Sequence, residues 1–404
     1  MRILYLAILL LCACLSATAQ GQGDYRKVLS TLRSFAVSDS IRLQPLVDLW
    51  WNERKSKKEV PLIAEDSVAF FYRGPASKVE WMGDFNAWGY KTDFKNKGKR
   101  VKNTDIWLLT CSFPKSARLD YKLVINGSSW ILDPINPRQQ WSGVGGGSPN
   151  SELRMPDWKE DPILTQRNNI QHGTITKDLV IDSKSMGYQL TYSVYLPAGT
   201  APTSRLPVLF TTDGNEYLMP ELGNMATILD NLIADGKIPP IVVVFVDHRE
   251  PINRSNNRRM QELNMNEKYL AFYTKELIPL VETNFPVRRD PAHRGILGTS
   301  MGGLTSAYFS FSRPDVFGLA GIQSPAFWSR PEVYNLCDSI TGPKVRVFMT
   351  SGLINDTSEG ARRMKEVLQK NACTYQYRET QEGHSWGNWR NLIDDILIDL
   401  YGTP

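Results

Sequence analysis

The sequence predicts an α/β fold, a mostly parallel sheet covered by helices on both faces, preceded by a small antiparallel β-sandwich. Two textures of the chain carry that expectation. Between residues 68 and 125, short β-rich runs follow one another with Gly, Asn, Lys and Pro between them, the pattern of closely spaced antiparallel strands. Beyond residue 172, apolar runs alternate with helical stretches, as a parallel sheet with crossover helices requires. A chain of 404 residues also exceeds what one ordinary core fills, so two domains are expected.

The elements can be taken in order. The chain opens on Arg2, an apolar run from Ile3 to Leu15, and then Ser16-Ala17-Thr18-Ala19. A basic start, a short apolar stretch and a small-residue site describe a secretory signal peptide over residues 1–19, which implies export to the periplasm or the medium. An uncleaved anchor helix is the competing reading, against which the run is short for a bilayer span. Leu11-Cys12-Ala13-Cys14 also loosely matches a lipoprotein box, which would make Cys14 a lipid attachment point. Cleavage after Ala19 leaves Cys111, Cys337 and Cys373. A Cys337–Cys373 disulfide and unpaired buried thiols are both open, and no Cys/His spacing suggests a metal site.

Residues 24–58 form a helical segment, because Leu29, Leu32, Leu43, Leu46 and Leu49 recur among polar neighbours. The sandwich spans residues 59–155, with strands at Val68–Tyr72, Val79–Met82, Ile106–Leu109 and Tyr121–Ile125. From Gly143 the chain turns rich in Gly, Ser and Pro, and a linker is expected from there to about Gln171. The α/β domain then occupies residues 172–404. Its strands are expected at Val208–Thr211, Ile241–Val246, Arg294–Leu297, Leu319–Ile322 and Val345–Met349, and its helices near Glu221–Ala234, Glu267–Thr283, Leu304–Phe311 and Glu359–Gln369. The composition, 42% hydrophobic and 22% charged, argues against disorder. A net charge of +5 with no long Lys/Arg block makes nucleic acid an unexpected partner.

The chemistry centres on Gly298-Thr299-Ser300-Met301-Gly302. A bare Gly-x-Ser-x-Gly recurs by chance, but here it follows the strand-like Gly295-Ile296-Leu297 and precedes a helix-like stretch. That is the strand-turn-helix setting of the nucleophile elbow, in which small neighbours let the serine Oγ project above the sheet. Ser300 is therefore the candidate nucleophile of an α/β-hydrolase domain. A serine hydroxyl needs a base to take its proton, and the four histidines are His172, His248, His293 and His384. His384 follows the last expected strand and suits the order serine, acid, histidine of this fold. The acid should follow the strand Val345–Met349, where Asp356 is the first choice and Glu359 the competitor. The oxyanion hole calls for the amide of Met301 and for one from Asp213-Gly214-Asn215, with Gly214 and Asn215 the candidates. Acyl transfer to serine requires no cofactor, and none is implied.

Read together, these residues resemble the enterochelin (siderophore) esterase family, in the putative-esterase branch of the α/β-hydrolases. The likeness runs from about Leu206 to Tyr401 through Asp213-Gly214, Arg259-Met260-Gln261-Glu262-Leu263, Glu276-Leu277-Ile278-Pro279-Leu280, the elbow, Arg313-Pro314-Asp315, Gln323-Ser324, Gly383-His384 and Trp389. The resemblance implies Ser300 and His384 as the catalytic dyad, Asp356 as its third member, and Arg259 in a substrate-facing position. Trp328 is expected in the pocket wall, where Pro325-Ala326 stands in place of the family's more usual Gly-Ser. The β-domain is similar to immunoglobulin-like domains of the glycogen-binding type, through Trp81-Met82-Gly83-Asp84-Phe85-Asn86-Ala87-Trp88, Tyr121-Lys122-Leu123 and Asn126-Gly127-Ser128-Ser129-Trp130. In sugar binders of that type Trp88, Lys122 and Trp130 would meet the glycan. The other reading, favoured because the family's esterases also carry an N-terminal β-domain, has these tryptophans filling a small core or walling the active site.

The partner is then a small-molecule ester. An anionic catecholate siderophore, such as an enterobactin-type trilactone, predicts a basic rim, and Arg254, Arg258 and Arg259 follow the Ile241 strand where active-site loops belong. A feruloyl or acetyl-xylan esterase with a glycan-binding β-domain is the alternative substrate class. A non-catalytic glycan-binding protein with a vestigial hydrolase domain is a third reading, disfavoured by the intact Ser/Asp/His set.

Overall fold

The computed structural model describes residues 23–38, 43–58, 60–143, 148–338 and 344–402, so the expected signal peptide and its lipoprotein box lie outside the described residues. The chain divides into two compact units. The first takes in the described residues up to Gln140 with Pro149–Lys159 and Gln381–Gly383; the second takes in those of Trp141–Ser148, Glu160–Thr380 and the stretch from His384 onward.

The first unit begins with helices α1 (23–37) and α2 (Leu43–Lys57). It continues with strands β1 (Leu62–Ala64), β2 (Ser67–Arg73), β3 (Val79–Gly83), β4 (Lys99–Arg100), β5 (Ile106–Ser112), β6 (Arg118–Ile125), β7 (Ser129–Ile131), β8 (Gln139–Trp141) and β9 (Pro149–Arg154). These form two sheets, β1-β2-β5-β4 and β3-β6-β9-β8 with β7 on β6. Successive strand residues point to opposite faces, and on β2 both faces are covered: Phe70 and Phe71 are each fully buried. Phe71 meets Trp50 of α2 at 5.5 Å between ring centroids, while Phe70 meets Trp81 and Tyr121 of the second sheet at 6.1 and 5.0 Å. The result is helix on sheet on sheet: Val28, Leu32, Phe35, Val47 and Trp50 share a core with Leu62, Phe71 and Ile106, while Leu46 and Leu49 of the expected apolar stripe are exposed. Burying each such aromatic or aliphatic side chain is worth about 1.5–3 kcal/mol.

Trp81 is fully buried in the sandwich core, and Trp107 of β5 is buried as well. Trp88 and Trp130 do not fill the core: Trp88 is half-buried, Trp130 is 49% exposed, and their rings stack 6.5 Å apart at 25°. The core-filling expectation for this pair is thereby corrected. The physical reason lies in the turns: Trp88 follows β3 in the left-handed region (φ +57°) and Trp130 sits on the short outer strand β7, so neither points between the sheets.

The second unit is built on one sheet, β10 (Thr174–Ser183), β11 (Tyr188–Leu196), β13 (Val242–Asp247), β12 (Val208–Thr211), β14 (Arg294–Thr299), β15 (Leu319–Gln323), β16 (Arg346–Gly352) and β17 (Tyr375–Thr380), in that spatial order. The pairs β10–β11 and β11–β13 are antiparallel and the rest parallel. The helices are α3 (Gly214–Leu218), α4 (Met225–Ala234), α5 (Arg259–Glu262), α6 (Glu267–Phe272), α7 (Ile278–Asn284), α8 (Met301–Ser312), α9 (Val333–Asp338), α10 (Ser358–Lys370), α11 (Trp386–Arg390) and α12 (Ile393–Tyr401). The expected helix Glu267–Thr283 is interrupted by a single π turn at Tyr273–Leu277. A separate apolar core lies on each face of the sheet, one around α6–α8, the other around α4 and α12. The central strands β12, β13 and β14 are buried throughout, the near-continuous apolar pattern of strands covered on both faces.

The region expected as a linker contributes structure before residue 172. The Asn231 amide on α4 donates to the carbonyls of Ile163 and Thr165, and Arg167 donates back to the Asn231 side chain, so residues 160–171 pack on the second unit. Cys111, Cys337 and Cys373 are free thiols. No helix among the described residues is long and apolar enough to cross a membrane.

Candidate active site

The parallel strands β12, β14, β15 and β16 end on the same edge of the sheet, and the loops at that edge carry the reactive groups. Ser300 is the one-residue turn between β14 and α8, held at φ 58°, ψ −116°, a strained conformation for a residue with a side chain. The strain is fixed by hydrogen bonds on both sides: the Ser300 amide donates to the Gln323 carbonyl at 2.9 Å, and the Ser300 carbonyl accepts from Ala326 at 3.0 Å. The elbow glycines are required by contact. A Cβ on Gly302 would lie 2.2 Å from Thr212 Oγ1, and one on Gly298 would lie 2.4 Å from the Gly302 backbone.

His384 and Asp356 complete a relay. His384 Nε2 lies 2.9 Å from Ser300 Oγ, and His384 Nδ1 lies 2.6 Å from Asp356 Oδ1. Because Nδ1 faces a carboxylate it carries the proton, which leaves Nε2 as the acceptor for the serine hydroxyl. The other oxygen of Asp356 accepts from Ser324 Oγ at 2.5 Å and from the Gly352 amide at 2.6 Å, and Trp389 Nε1 donates to Ser324 in turn. Burial alone would raise the Asp356 pKa, but the His384 charge and these hydrogen bonds outweigh it and hold the group below the usual carboxylate range. Ser324 thus orients the acid, a role the sequence reading left unassigned; its place just past the carboxyl end of β15 was the available signal. Glu359, the competing acid, is exposed on α10 and makes no hydrogen bond to His384 among the described residues. The other histidines are engaged elsewhere: His172 with Asp230, His293 with Asp290, and His248 beside Asp213.

Met301 and Gly214 open helices α8 and α3, so their amides have no carbonyl one turn back and are free to serve an oxyanion. Asn215 follows in the first turn of α3. Ser300, His384 and Asp356 open into a cavity of about 610 Å³ whose lining also includes Phe327, Trp328, Tyr334, Glu359 and Arg363. Trp328 is 76% exposed at its rim. The Arg363 guanidinium lies 4.2 Å over the Tyr334 ring, whose hydroxyl donates to the Gly360 carbonyl, and no carboxylate among the described residues pairs with it. Nothing in the sequence separated this arginine from the other charges of α10.

The expected basic rim is different from its prediction. Arg254 lines a separate cleft of about 440 Å³ with Asn215, Glu216, His248, Arg249 and Asn257, where it is paired with Asp247 and Asp178. Arg259, expected to face substrate, is 5% exposed. Its Nε and Nη2 donate to the two oxygens of Asp213 at 2.6 and 3.0 Å, and Nη2 also reaches the Thr299 carbonyl at 3.3 Å. A guanidinium in so buried a place requires a carboxylate partner, and once it has one its fork no longer points to solvent. Arg258 likewise stacks on Tyr188 at 4.0 Å. No group of three or more metal-binding side chains occurs among the described residues.

Comparison with known proteins agrees with this geometry. The family model described as putative esterase matches residues 183–400. An iron(III) enterobactin esterase of Escherichia coli O6:H1 is 23% identical over 405 aligned positions, covering 87% of this chain and 96% of its own. An endo-1,4-beta-xylanase/feruloyl esterase of Xylanibacter ruminicola is 29% identical over 256 positions, 60% of this chain; the chain spans about a third of that relative's length, 33%. Among solved structures, an enterobactin esterase from Shigella flexneri superposes with a TM-score of 0.67 at 21% identity, over 83% of this chain and 92% of that one, which shows the shared fold. With a family match over residues 183–400 of 404, more than half its length, the chain belongs to the putative esterase family and is a carboxylic ester hydrolase.

Proposed function

We propose that the protein is an exported serine esterase that forms an acyl-enzyme on Ser300, with a catecholate siderophore of the enterobactin trilactone type as the first-choice substrate. The observation that carries the reading is the continuous relay from Asp356 through His384 to Ser300, at 2.6 and 2.9 Å. In the first step Ser300 Oγ bonds to the ester carbonyl carbon and its proton passes to His384 Nε2. The carbonyl oxygen becomes an oxyanion between the amides of Met301 and of Gly214 or Asn215. The carbon–oxygen bond to the alcohol breaks as His384 returns the proton to the leaving oxygen. Water repeats the sequence on the acyl-enzyme, releasing the acid and restoring Ser300. Throughout, Asp356 stabilises the imidazolium and does not itself take the proton.

The substrate class is supported by the cavity wall, where Phe327, Trp328 and Tyr334 bring aromatic rings and Arg363 brings a cation with no carboxylate partner among the described residues. The siderophore is preferred because the match to the E. coli enterobactin esterase extends over 87% of this chain and 96% of that protein. Export rests on the apolar run at residues 3–15 and the Ala-x-Ala site after it. A second reading, a feruloyl or acetyl-xylan esterase that also holds a glycan, draws on the stacked, partly exposed Trp88–Trp130 pair and on the likeness to the Xylanibacter enzyme.

The test is turnover of enterobactin and of methyl ferulate by the intact protein and by Ser300→Ala. The expected result is a higher kcat/KM on enterobactin and a loss of about 10⁴-fold or more on both substrates in the variant. Turnover that survives the substitution removes the acyl-enzyme. A kcat/KM for ferulate more than about tenfold above that for enterobactin selects the second reading.

A further inference from the structure

The two oxyanion donors belong to chain segments about 90 residues apart, and the sheet stops fixing their spacing just before it matters. The β12–β14 ladder ends with Thr211 opposite Leu297, and the Thr212 amide adds a final bond to the Leu297 carbonyl at 3.1 Å. Past that point one segment turns through Asp213 into α3 while the other runs through Thr299 and Ser300 into α8. Arg259 bridges the gap, gripping Asp213 with both arms of its fork and the Thr299 carbonyl with one of them. Asp213 itself sits at φ +52°, a left-handed conformation disfavoured for a residue with a Cβ, and directly precedes Gly214. The Gly214 backbone in turn lies hard against β13, where an added Cβ would come 2.3 Å from the Phe245 carbonyl carbon. His248 Nδ1 stands 3.1 Å from the same Asp213 oxygen that Arg259 Nε holds, off the hydrogen-bond line.

We propose that Arg259 is a positioning residue for catalysis, a buried clamp that sets the distance between the Met301 amide and the Gly214–Asn215 amides through Asp213 and Thr299. The clamp rests on the serine esterase reading, since an oxyanion hole has meaning only if Ser300 attacks an ester. Its design follows from the guanidinium: a planar fork meets a carboxylate edge-on with two parallel bonds and still has an N–H for the carbonyl, whereas an ammonium at one point cannot hold all three acceptors. Charge is conserved in Arg259→Lys and geometry is not. The consequence falls on the tetrahedral state, which alone places an oxyanion in the hole.

The experiment compares wild type, Arg259→Lys and Asp213→Asn, with Ser300→Ala as control. It uses a p-nitrophenyl ester for kcat and KM, phenylboronic acid as a tetrahedral adduct of the serine, and benzoic acid as a ligand that makes no adduct. The expected result for Arg259→Lys is a fall in kcat of about 100-fold, a matching loss of boronate affinity, and KM and benzoate affinity within about threefold of wild type. Asp213→Asn keeps the shape of the partner and removes its charge; it should shift the same two quantities in the same direction, and it serves if the lysine variant does not fold. The clamp is overturned if a folded variant keeps both kcat and boronate affinity. It is also overturned if KM rises while kcat holds, for then Arg259 meets the substrate directly. If wild-type protein binds no boronate, or Ser300→Ala binds it equally, the esterase reading has failed instead.

Discussion

Arg363 and Arg254 both bring a guanidinium to a cleft of the catalytic unit, yet their surroundings differ in kind. Arg254 shares Asp247 with Arg249 and also pairs with Asp178, so the cleft it lines is neutralised before any ligand arrives. Arg363 faces the cavity that holds Ser300 with an aromatic ring beneath it and no carboxylate partner among the described residues. The difference teaches that recognition of an anion is decided by which cation is left unpaired; the number of arginines in a segment says little. The stretch that carries Arg249, Arg254, Arg258 and Arg259 is strongly basic, and its charges are spent on Asp247, Asp178, Glu250 and Asp213.

Beside those paired arginines lies an acid in the opposite predicament, and it gives the largest expected effect. Glu262 is buried on α5, Tyr188 donates to one of its oxygens, and the other has no partner among the described residues. Burial, against the hydrogen bond from Tyr188 and the charge of Arg258, pushes its pKa up to about 8. A carboxyl whose folded pKa is raised holds its proton in the native state after the unfolded chain has lost it, so the folded form is favoured below about pH 4.5 and that contribution is lost as pH rises through about 8. Glu262→Gln should therefore flatten the decline in stability over that window, gaining a few kcal/mol relative to wild type at pH 8.5 against pH 5. Urea denaturation midpoints at the two pH values measure it; parallel shifts in both proteins would show that Glu262 is ionised in the fold.

The next effect belongs to Arg363. Its replacement by Ala should lower kcat/KM about tenfold on an aryl ester that carries a second acidic group and leave the neutral p-nitrophenyl ester nearly unchanged. Equal losses on both would mean that the residue supports the pocket wall and does not read charge. Smallest of all is Arg254→Ala, expected within about threefold of wild type on either ester because its charge is already compensated. A selective tenfold loss there would reverse the comparison between the two clefts.

Much of this was legible in the sequence, for reasons that also explain the failures. Ser300 and Asp356 could be read because each stands just past a strand of recognisable apolar character, which the topology of a parallel sheet puts on one edge, and His384 because it follows them in the chain order of this fold. Strands β10, β11 and β17 escaped notice: β10 and β17 are edge strands whose residues are largely half-buried or exposed, and β11, though mostly buried, mixes Gln, Thr and Ser among its Tyr, Leu and Val and shows no continuous apolar run. Arg259 was misjudged because a sequence shows that an arginine is present and not whether a carboxylate 46 residues earlier waits for it. Arg363 shares α10 with Arg362, Lys365 and Glu366, and periodicity cannot say which charge on a polar face looks into a cavity. In the first unit the Phe70-Phe71 pair looked like a simple apolar run, and only the packing shows that one ring belongs to the helix side and the other to the second sheet.

Trp328, standing mostly in solvent on the rim above Ser300, gives the molecule an optical reporter at its own doorstep. An indole in water emits at longer wavelength than one covered by a ligand, and a catechol ring laid against it would quench as well as cover. The difference in emission between the native chain and a Trp328→Phe derivative, recorded in the Ser300→Ala background where nothing turns over, would isolate that one chromophore and give the rate at which substrate arrives, separated from every step that follows.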